Sequence, residues 1–365
     1  MKFVLSGNLL RFSSFGREVS IDAPTLSDGL SRLCEQCPSL RPVLLDGDGK
    51  FRQIHRLFVN GDQVMVGELG APRGAGTRCR SSPPSPEVDA MPRAHTFELT
   101  TDTSHFTPLQ LQPRNLLATG FNALSQWLRA NWVSFPDLIS KHRFSVVILG
   151  TNVEWRAPLK FFDGPTLTLT STLKIQRNGT RAQLDTEVKG ATGVAARVGI
   201  LLCPVEVVEL EGLSATPTRL PERLASLLQP DELELGVTPR RVVPDVRAAL
   251  EKSGKMIGEH KSAFTVHRHR CEVADQWAFF EVAGLVGASR EAMALEGVAK
   301  QPALQAALGT PLQRFDMELS RPYYWFQPGT VASTAWVLDG RLVVVHRLLS
   351  PVPGGEEHGV AVERF

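Results

Sequence analysis

Residues 267–291 read HRHRCEVADQWAFFEVAGLVGASRE, and the fold turns on how this stretch is parsed. Phe264–Val273, which opens on the alternation Phe264-Thr265-Val266-His267, is expected to be a strand. The apolar-rich run from Gln276 to about Glu296 predicts a helix, with Asp275 at the junction. Four strand-like segments follow, at Phe315–Trp325, Thr330–Leu338, Leu342–Leu349 and Val360–Phe365. The expected unit is therefore a strand, a long central helix and an antiparallel meander.

The same order stands upstream. Thr96–Thr101 predicts a strand, and Asn115–Trp132 a helix with Leu116, Leu117, Phe121, Leu124 and Leu128 on one side. Strands are expected at Phe144–Trp155, Thr166–Gln176, Arg181–Lys189 and Val194–Leu210. A short repeat joins the two passes. Glu154-Trp155-Arg156-Ala157-Pro158 precedes an aromatic pair and Asp163-Gly164, and Glu318-Leu319-Ser320-Arg321-Pro322 precedes Tyr323-Tyr324-Trp325 and Pro328-Gly329. Residues 216–258, punctuated by proline, read as a helical connection between repeats at 94–215 and 259–365.

A long helix wrapped by an antiparallel meander, occurring twice, resembles the double-hotdog fold of acyl-thioesterase and dehydratase-like proteins. The fold class expected is α+β. The resemblance implies an acyl-CoA or acyl-carrier-protein thioester as ligand. Coenzyme A or phosphopantetheine then enters as part of the substrate, and no separate cofactor or metal is expected. In the thioesterase branch a carboxylate near the start of the central helix activates water or attacks the thioester. The helix N-terminus there favours negative charge developing on the carbonyl oxygen. Asp275 takes that place in this sequence, as an N-cap, a general base or both.

Glu281, further into the helix, is a catalytic or interfacial candidate, and Arg290-Glu291 reads as a solvated pair near the helix end. The His and Asn usual just after that Asp are absent, replaced by Gln276, Trp277 and Ala278. A non-catalytic acyl-binding module is therefore the alternative. The first helix carries no carboxylate; His105, ahead of it, is the candidate acid–base partner opposite Asp275, as in dehydratase-type double hotdogs. On a strand His267 and His269 share one face, and Arg268 and Arg270 the other. That arginine face is either the polar side of a half-exposed strand or a contact for the phosphates of coenzyme A or phosphopantetheine. Tyr323-Tyr324-Trp325-Phe326 is expected to pack in the core or at a homodimer interface.

Residues 1–65 tell a separate story. LLRF, PTLSDGLSRL, CPSL, LLDGDGK and LFVNGDQV occur in an order similar to the MoaD/ThiS family of sulfur carriers, which are ubiquitin-like β-grasp modules. That family works through a terminal diglycine adenylated by an E1-like enzyme, so the resemblance implies such an enzyme as a docking partner. No diglycine closes this segment, and Gly354-Gly355 is distant; sulfur carriage therefore requires processing to a diglycine end. Residues 66–93, rich in Gly, Pro, Ser and Arg, read as a flexible linker. One choice of GC-rich codons for residues 75–88, read one base out of frame, spells a string ending in Gly-Gly. Met91 is then the start of an ancestral second gene.

A net charge of +2 argues against nucleic acid as the main partner. No apolar run approaches the roughly 18–20 residues that span a bilayer. Lys2, Asn8 and Arg11 break up the N-terminus before it forms a signal-peptide core, so a cytoplasmic location is expected. The five cysteines are scattered and odd in number, which argues against a disulfide framework. Cys34-Glu35-Gln36-Cys37 is formally a CxxC, but no further ligand stands nearby, and two ordinary helix cysteines is the simpler reading.

Overall fold

The structure is a computed structural model that describes residues 2–4, 18–21, 26–44, 57–59, 62–64, 92–351 and 355–365. The chain divides into two compact units, residues 1–90 with 208–215, and residues 91–207 with 216–365. In the first unit, β1 (Lys2–Val4) runs antiparallel to β2 (Glu18–Ser20), followed by helices α1 (Leu26–Gln36) and α2 (Arg41–Leu44). Strands β3 (Leu57–Val59) and β4 (Asp62–Val64) form a second antiparallel pair. Leu33, Cys34, Leu40 and Leu44 are buried. Among the described residues these two pairs do not join into the single sheet of a β-grasp module. Residues 66–91 of the expected 66–93 linker lie outside the described residues, as does the Asp46-Gly47-Asp48-Gly49 stretch.

The second unit begins with β5 (Ala94–Thr100), α3 (Pro113–Asn131), α4 (Phe135–Ser140), β6 (Phe144–Trp155), β7 (Thr166–Gln176), β8 (Arg181–Gly190) and β9 (Gly193–Val207). A connecting stretch carries β10 (Ala215–Pro217), α5 (Glu222–Ala225), β11 (Leu233–Glu234) and α6 (Val242–Ser253). The remainder is β12 (Lys255–Thr265), α7 (Phe279–Gly297), α8 (Ala306–Gly309), β13 (Arg314–Leu319), β14 (Pro328–Leu338), β15 (Arg341–Leu349) and β16 (Glu357–Arg364).

The sheet order is β11-β7-β8-β9-β6-β13-β16-β15-β14-β12, with β5 also paired to β7. Residues 94–207 thus order their strands first, third, fourth, fifth, second, and residues 255–364 do the same in mirror sequence along the sheet. Each half holds one 19-residue helix. The second strands, β6 and β13, pair antiparallel where the halves meet, with Arg314 opposite Glu154 and Glu318 opposite Gly150. The two repeat motifs found in sequence start at the ends of these two strands.

Local sequence explains the layering. In β7, TLTLTSTLKIQ, the residues Leu167, Leu169, Ser171, Leu173 and Ile175 are buried on one face. Helix α3 lays Leu116, Leu117, Gly120, Ala123, Leu124, Trp127 and Leu128 on that face. Gly120 is needed there, because a Cβ would stand 2.9 Å from Val198 Cγ1. Strands β15 and β16 are buried on both faces, since α6 covers the outer one through Val243, Val246 and Leu250 packed against Val343, Val345, Val360 and Val362. Helices α3 and α7 meet along the core, with the Phe121 and Phe279 rings edge to face at 5.7 Å.

Two expectations are corrected here. The strand expected at Phe264–Val273 is instead Lys255–Thr265, within the stretch read partly as a helical connection. It is an edge strand with alternating exposure, so its solvent side carries Lys255, Glu259 and Lys261 and looks like linker sequence. The strand expected to run to Trp325 ends at Leu319.

Candidate functional site

The site residues gather around the starts of the two central helices. Helix α7 begins at Phe279, and its N-cap is Ala278, which offers no side-chain cap. Asp275 is therefore not the N-cap. It lies in a small ribbon before the helix, where Cys271 pairs with Trp277 and Gln276 with Tyr324. The tip is a turn in which Asp275 N–H donates to Glu272 O at 3.0 Å. Asp275 takes a left-handed φ of 53°, a region Asp tolerates better than most residues. Beside it Phe326 also has a left-handed φ, 60°. The Trp325 N–H donates to Asp275 O at 3.0 Å. Two such residues, linked through Trp325, mark a spot where surrounding structure holds the backbone against its preference.

The expected strand faces for residues 267–270 do not form. Arg268–Arg270 is a 3-10 turn. The His267 and His269 rings stack with centroids 6.0 Å apart. Arg268 lies over the Trp325 ring at 3.6 Å, and its Nε stands 3.5 Å from Asp275 Oδ1. Arg270 Nε stands 4.0 Å from Glu281 Oε2. All four side chains stay exposed, so a basic, aromatic-backed surface flanks the turn.

Glu281 sits in the first turn of α7, largely buried. Arg114, at the start of α3, donates to Glu281 Oε1 from Nε at 3.0 Å and again from Nη2. Arg114 Nη1 also donates to Asn115 Oδ1 at 3.2 Å, and Asn115 Nδ2 donates to Ser104 O. Glu281 is thus an ion-paired tie between the two halves. His105 joins the far end of this strip. Its Nδ1 stands 3.1 Å from the Asp102 backbone N and 3.2 Å from Asp102 Oδ1. No hydrogen bond or ion pair joins His105 to Asp275, whose carboxylate meets Arg268, while the contacts through Asn115, Arg114 and Glu281 end at Arg270.

His105 and Asn115 line a narrow cleft of about 10 Å³, room for about one water, with Leu99, Leu111, Leu116, Thr119, Leu167, Leu169 and Val188. A second, wholly apolar void, also of about 10 Å³, lies further along α3, among Leu124, Leu128, Trp132, Phe144, Leu173, Ile175 and Leu202. Both lie in the first half, between α3 and the sheet.

Sequence reading missed two groups. Burial pushes the Glu272 carboxyl up to about 7, the range where a carboxyl exchanges protons near neutrality. The buried Trp277 indole N–H has no hydrogen-bond partner among the described residues, although the ring packs between Phe264 and Tyr323. A Glu or Trp near a helix start gives no sequence signal of either property. The pair expected at Arg290-Glu291 is also different: the Arg290 side chain is 12% exposed and turns inward to the buried Glu363, Nη1 to Oε1 2.7 Å.

No protein-family model matches this sequence, and no curated protein matches it. Solved structures do. A Lactobacillus plantarum structure described as an oleoyl thioesterase is similar with a TM-score of 0.56 at 10% identity, over 75% of this chain and 96% of its own. The 12:0-ACP thioesterase of Umbellularia californica gives 0.53 at 12% identity, over 74% and 93%. An acyl-ACP thioesterase of Bacteroides thetaiotaomicron gives 0.52 at 8% identity, over 74% and 97%. At such identities the likeness speaks for the fold. No helix among the described residues is long and apolar enough to cross a membrane. Over most of its length, then, this chain has the hotdog-like fold of the acyl-ACP and oleoyl thioesterases it is similar to.

Proposed function

We propose that this protein hydrolyses an acyl thioester of coenzyme A or of an acyl carrier protein. The observation that carries the reading is the placement of the two cavities. They follow one another along α3, and the outer one opens beside His105 and the polar strip at the helix starts. Leu116 and Leu128 stand twelve steps apart on the helix, about 18 Å at 1.5 Å per residue, and an acyl chain along this face widens the two small voids as it enters. The apolar tail lies along α3, and the thioester stays at the helix starts.

Asp275 takes a proton from water as the water oxygen attacks the thioester carbonyl. The tetrahedral intermediate then collapses, the C–S bond breaks, the thiolate takes up a proton, and the fatty acid leaves. The orphan Trp277 N–H is a donor for the developing oxyanion. Glu272, in the same turn as Asp275, is the second carboxyl suited to the base role. Glu281, tied up by Arg114, positions the helix starts. Arg268 and Arg270 meet the phosphates of the carrier.

The test is hydrolysis of an acyl-CoA and acyl-carrier panel by the full-length chain, with Asp275→Asn and Glu272→Gln beside it. Turnover lost in Asp275→Asn supports the role, and undiminished turnover in both variants removes the turn from the mechanism. A second reading, acyl binding without turnover, is favoured by one observation: Asp275 and Glu281 both face arginines. It predicts calorimetric binding of an acyl-CoA with no thiol release. Nothing among the described residues of the first unit favours sulfur carriage, an adenylating partner or a dimer, and none is part of this proposal.

A further inference from the structure

The two halves share their strand order, and matching the ladders strand by strand shows where they part. Ser171 on β7 pairs with Thr186 on β8, and Thr186 with Val198 on β9. In the second half Ser333 on β14 pairs with His346 on β15, and His346 with Ala361 on β16. By the same ladders Glu363 stands where Ile200 stands, since each pairs with the residue two before the fourth-strand member, Val344 and Leu184. Counting from each helix start, Ser289 and Arg290 stand where Ala123 and Leu124 stand. The first half crosses its core at this level with Ala123, Leu124, Ile200 and one hydroxyl pair, Ser171 Oγ to Thr186 Oγ1 at 2.8 Å.

The second half crosses at the same level with a connected polar layer. Ser289 Oγ meets Ser333 Oγ at 2.8 Å, and Ser333 Oγ meets His346 Nδ1 at 2.7 Å. His346 Nε2 meets Glu363 Oε2 at 3.1 Å, and Arg290 Nη1 donates to Glu363 Oε1 at 2.7 Å. Serines, histidine and glutamate are all nearly fully buried. Apolar clusters lie on both sides of the layer: Val282, Val286, Val331 and Leu348 towards the start of α7, Met293 and Val344 towards its end.

We infer that this layer is a plug: Arg290, Glu363, His346, Ser333 and Ser289 close the groove along α7 to the acyl chain, so that each molecule holds one chain, in the first half. The inference rests on the acyl-thioester reading above. A chain threaded along α7 has to pass between Ser289 and the sheet, separating buried, mutually satisfied charges and hydroxyls that have no water to turn to. Along α3 the equivalent passage meets one neutral hydroxyl pair between two existing cavities. Two halves of the same strand order therefore have one working acyl groove, and the charged layer sets which.

The experiment uses the full-length chain and a non-hydrolysable thioether analogue of hexadecanoyl-CoA with a diazirine at the chain end. After illumination, peptide mapping locates the label. The expected result is one label per chain, in peptides bearing Leu124–Trp132 or Leu173–Ile175. The variant Arg290→Leu/His346→Leu/Glu363→Leu, which gives the layer the apolar character of the first half, is expected to take label in both halves. Label on Val282–Met293 or Ser333–Val344 of the wild type overturns the inference, whether or not the variant folds. A folded variant labelled in the first half alone overturns it too. No label at all in the wild type overturns the acyl-thioester reading, and the inference with it.

Discussion

Replacing Glu363 with leucine tests the buried layer as a stability element. In the wild type burial alone raises the Glu363 carboxyl, and Arg290 and His346 more than offset this, leaving it below the usual range. Removing it leaves Arg290 without its inward partner and His346 without an acceptor at Nε2. Breaking one side of a buried pair costs about 3–5 kcal/mol. Arg290 keeps slight exposure and a 2.9 Å contact to Glu291, so the lower end, about 3 kcal/mol, applies. Arg290→Leu alone leaves Glu363 buried beside His346 and costs a similar amount. The double variant leaves no unpaired charge and approaches the Leu124 and Ile200 pattern of the first half, but still leaves buried His346 Nε2 without its acceptor, so it costs about 1–3 kcal/mol. Against singles of about 3 kcal/mol each, the coupling between the two sites is then about 3–5 kcal/mol.

Urea unfolding followed by tryptophan fluorescence reads this cleanly, because all six tryptophans lie between Trp127 and Trp336, in the second unit. The sign with pH is fixed. A carboxyl whose folded value is depressed contributes stability above its unfolded value, near 4.3, and loses it as pH falls through the folded value. The Glu363→Leu cost should therefore be full at pH 7 and shrink below about pH 4. Singles costing less than about 1 kcal/mol, or a double equal to their sum, refutes the reasoning.

Four further outcomes are expected. The raised Glu272 value has the opposite sign: the folded state holds its proton from about pH 4.3 up to about 7, so stability falls as pH rises through that window. Glu272→Gln should flatten this slope and stabilise the protein at pH 8 by about 1–3 kcal/mol in the same urea assay. Arg93→Ala should cost about 2 kcal/mol by thermal unfolding, since it strands the fully buried Glu232, which Arg93 Nη2 meets at 2.6 Å. Trp277→Phe keeps the ring packing and removes the orphan donor, so kcat should drop about tenfold or more with KM little changed. Ala182→Phe narrows the inner cavity and should depress turnover of hexadecanoyl-CoA while sparing hexanoyl-CoA, read in a thiol-release assay.

Much of the fold was legible because the first half obeys simple periods. Phe144–Trp155 and Thr166–Gln176 match their predicted bounds: the second alternates cleanly, and the first is a β-branched, apolar run. Strand β12 was not legible, because an edge strand shows half its residues to water and its solvent face mimics a linker. Asp275 attracted the N-cap reading by position, yet the ribbon through Cys271 and Trp277 delays the helix to Phe279; cross-strand pairing to Tyr324 sets that delay, and local sequence does not encode it. The polar layer was the least readable feature. Arg290 and Glu363 are 73 residues apart in sequence, and Arg290 beside Glu291 looks like any exposed pair until the sheet is assembled. The expected contact of His105 with Asp275 depended on how the halves dock, which repeats alone do not specify.

The central claim is that the turn before α7 supports thioester hydrolysis of a long acyl chain. The most direct measurement is thiol release from hexadecanoyl-CoA and a hexadecanoyl carrier protein by the full-length chain, wild type against Asp275→Asn. The account predicts turnover by the wild type and a loss of about a hundredfold or more in the variant. Equal turnover in both, or binding without any thiol release by the wild type, contradicts it.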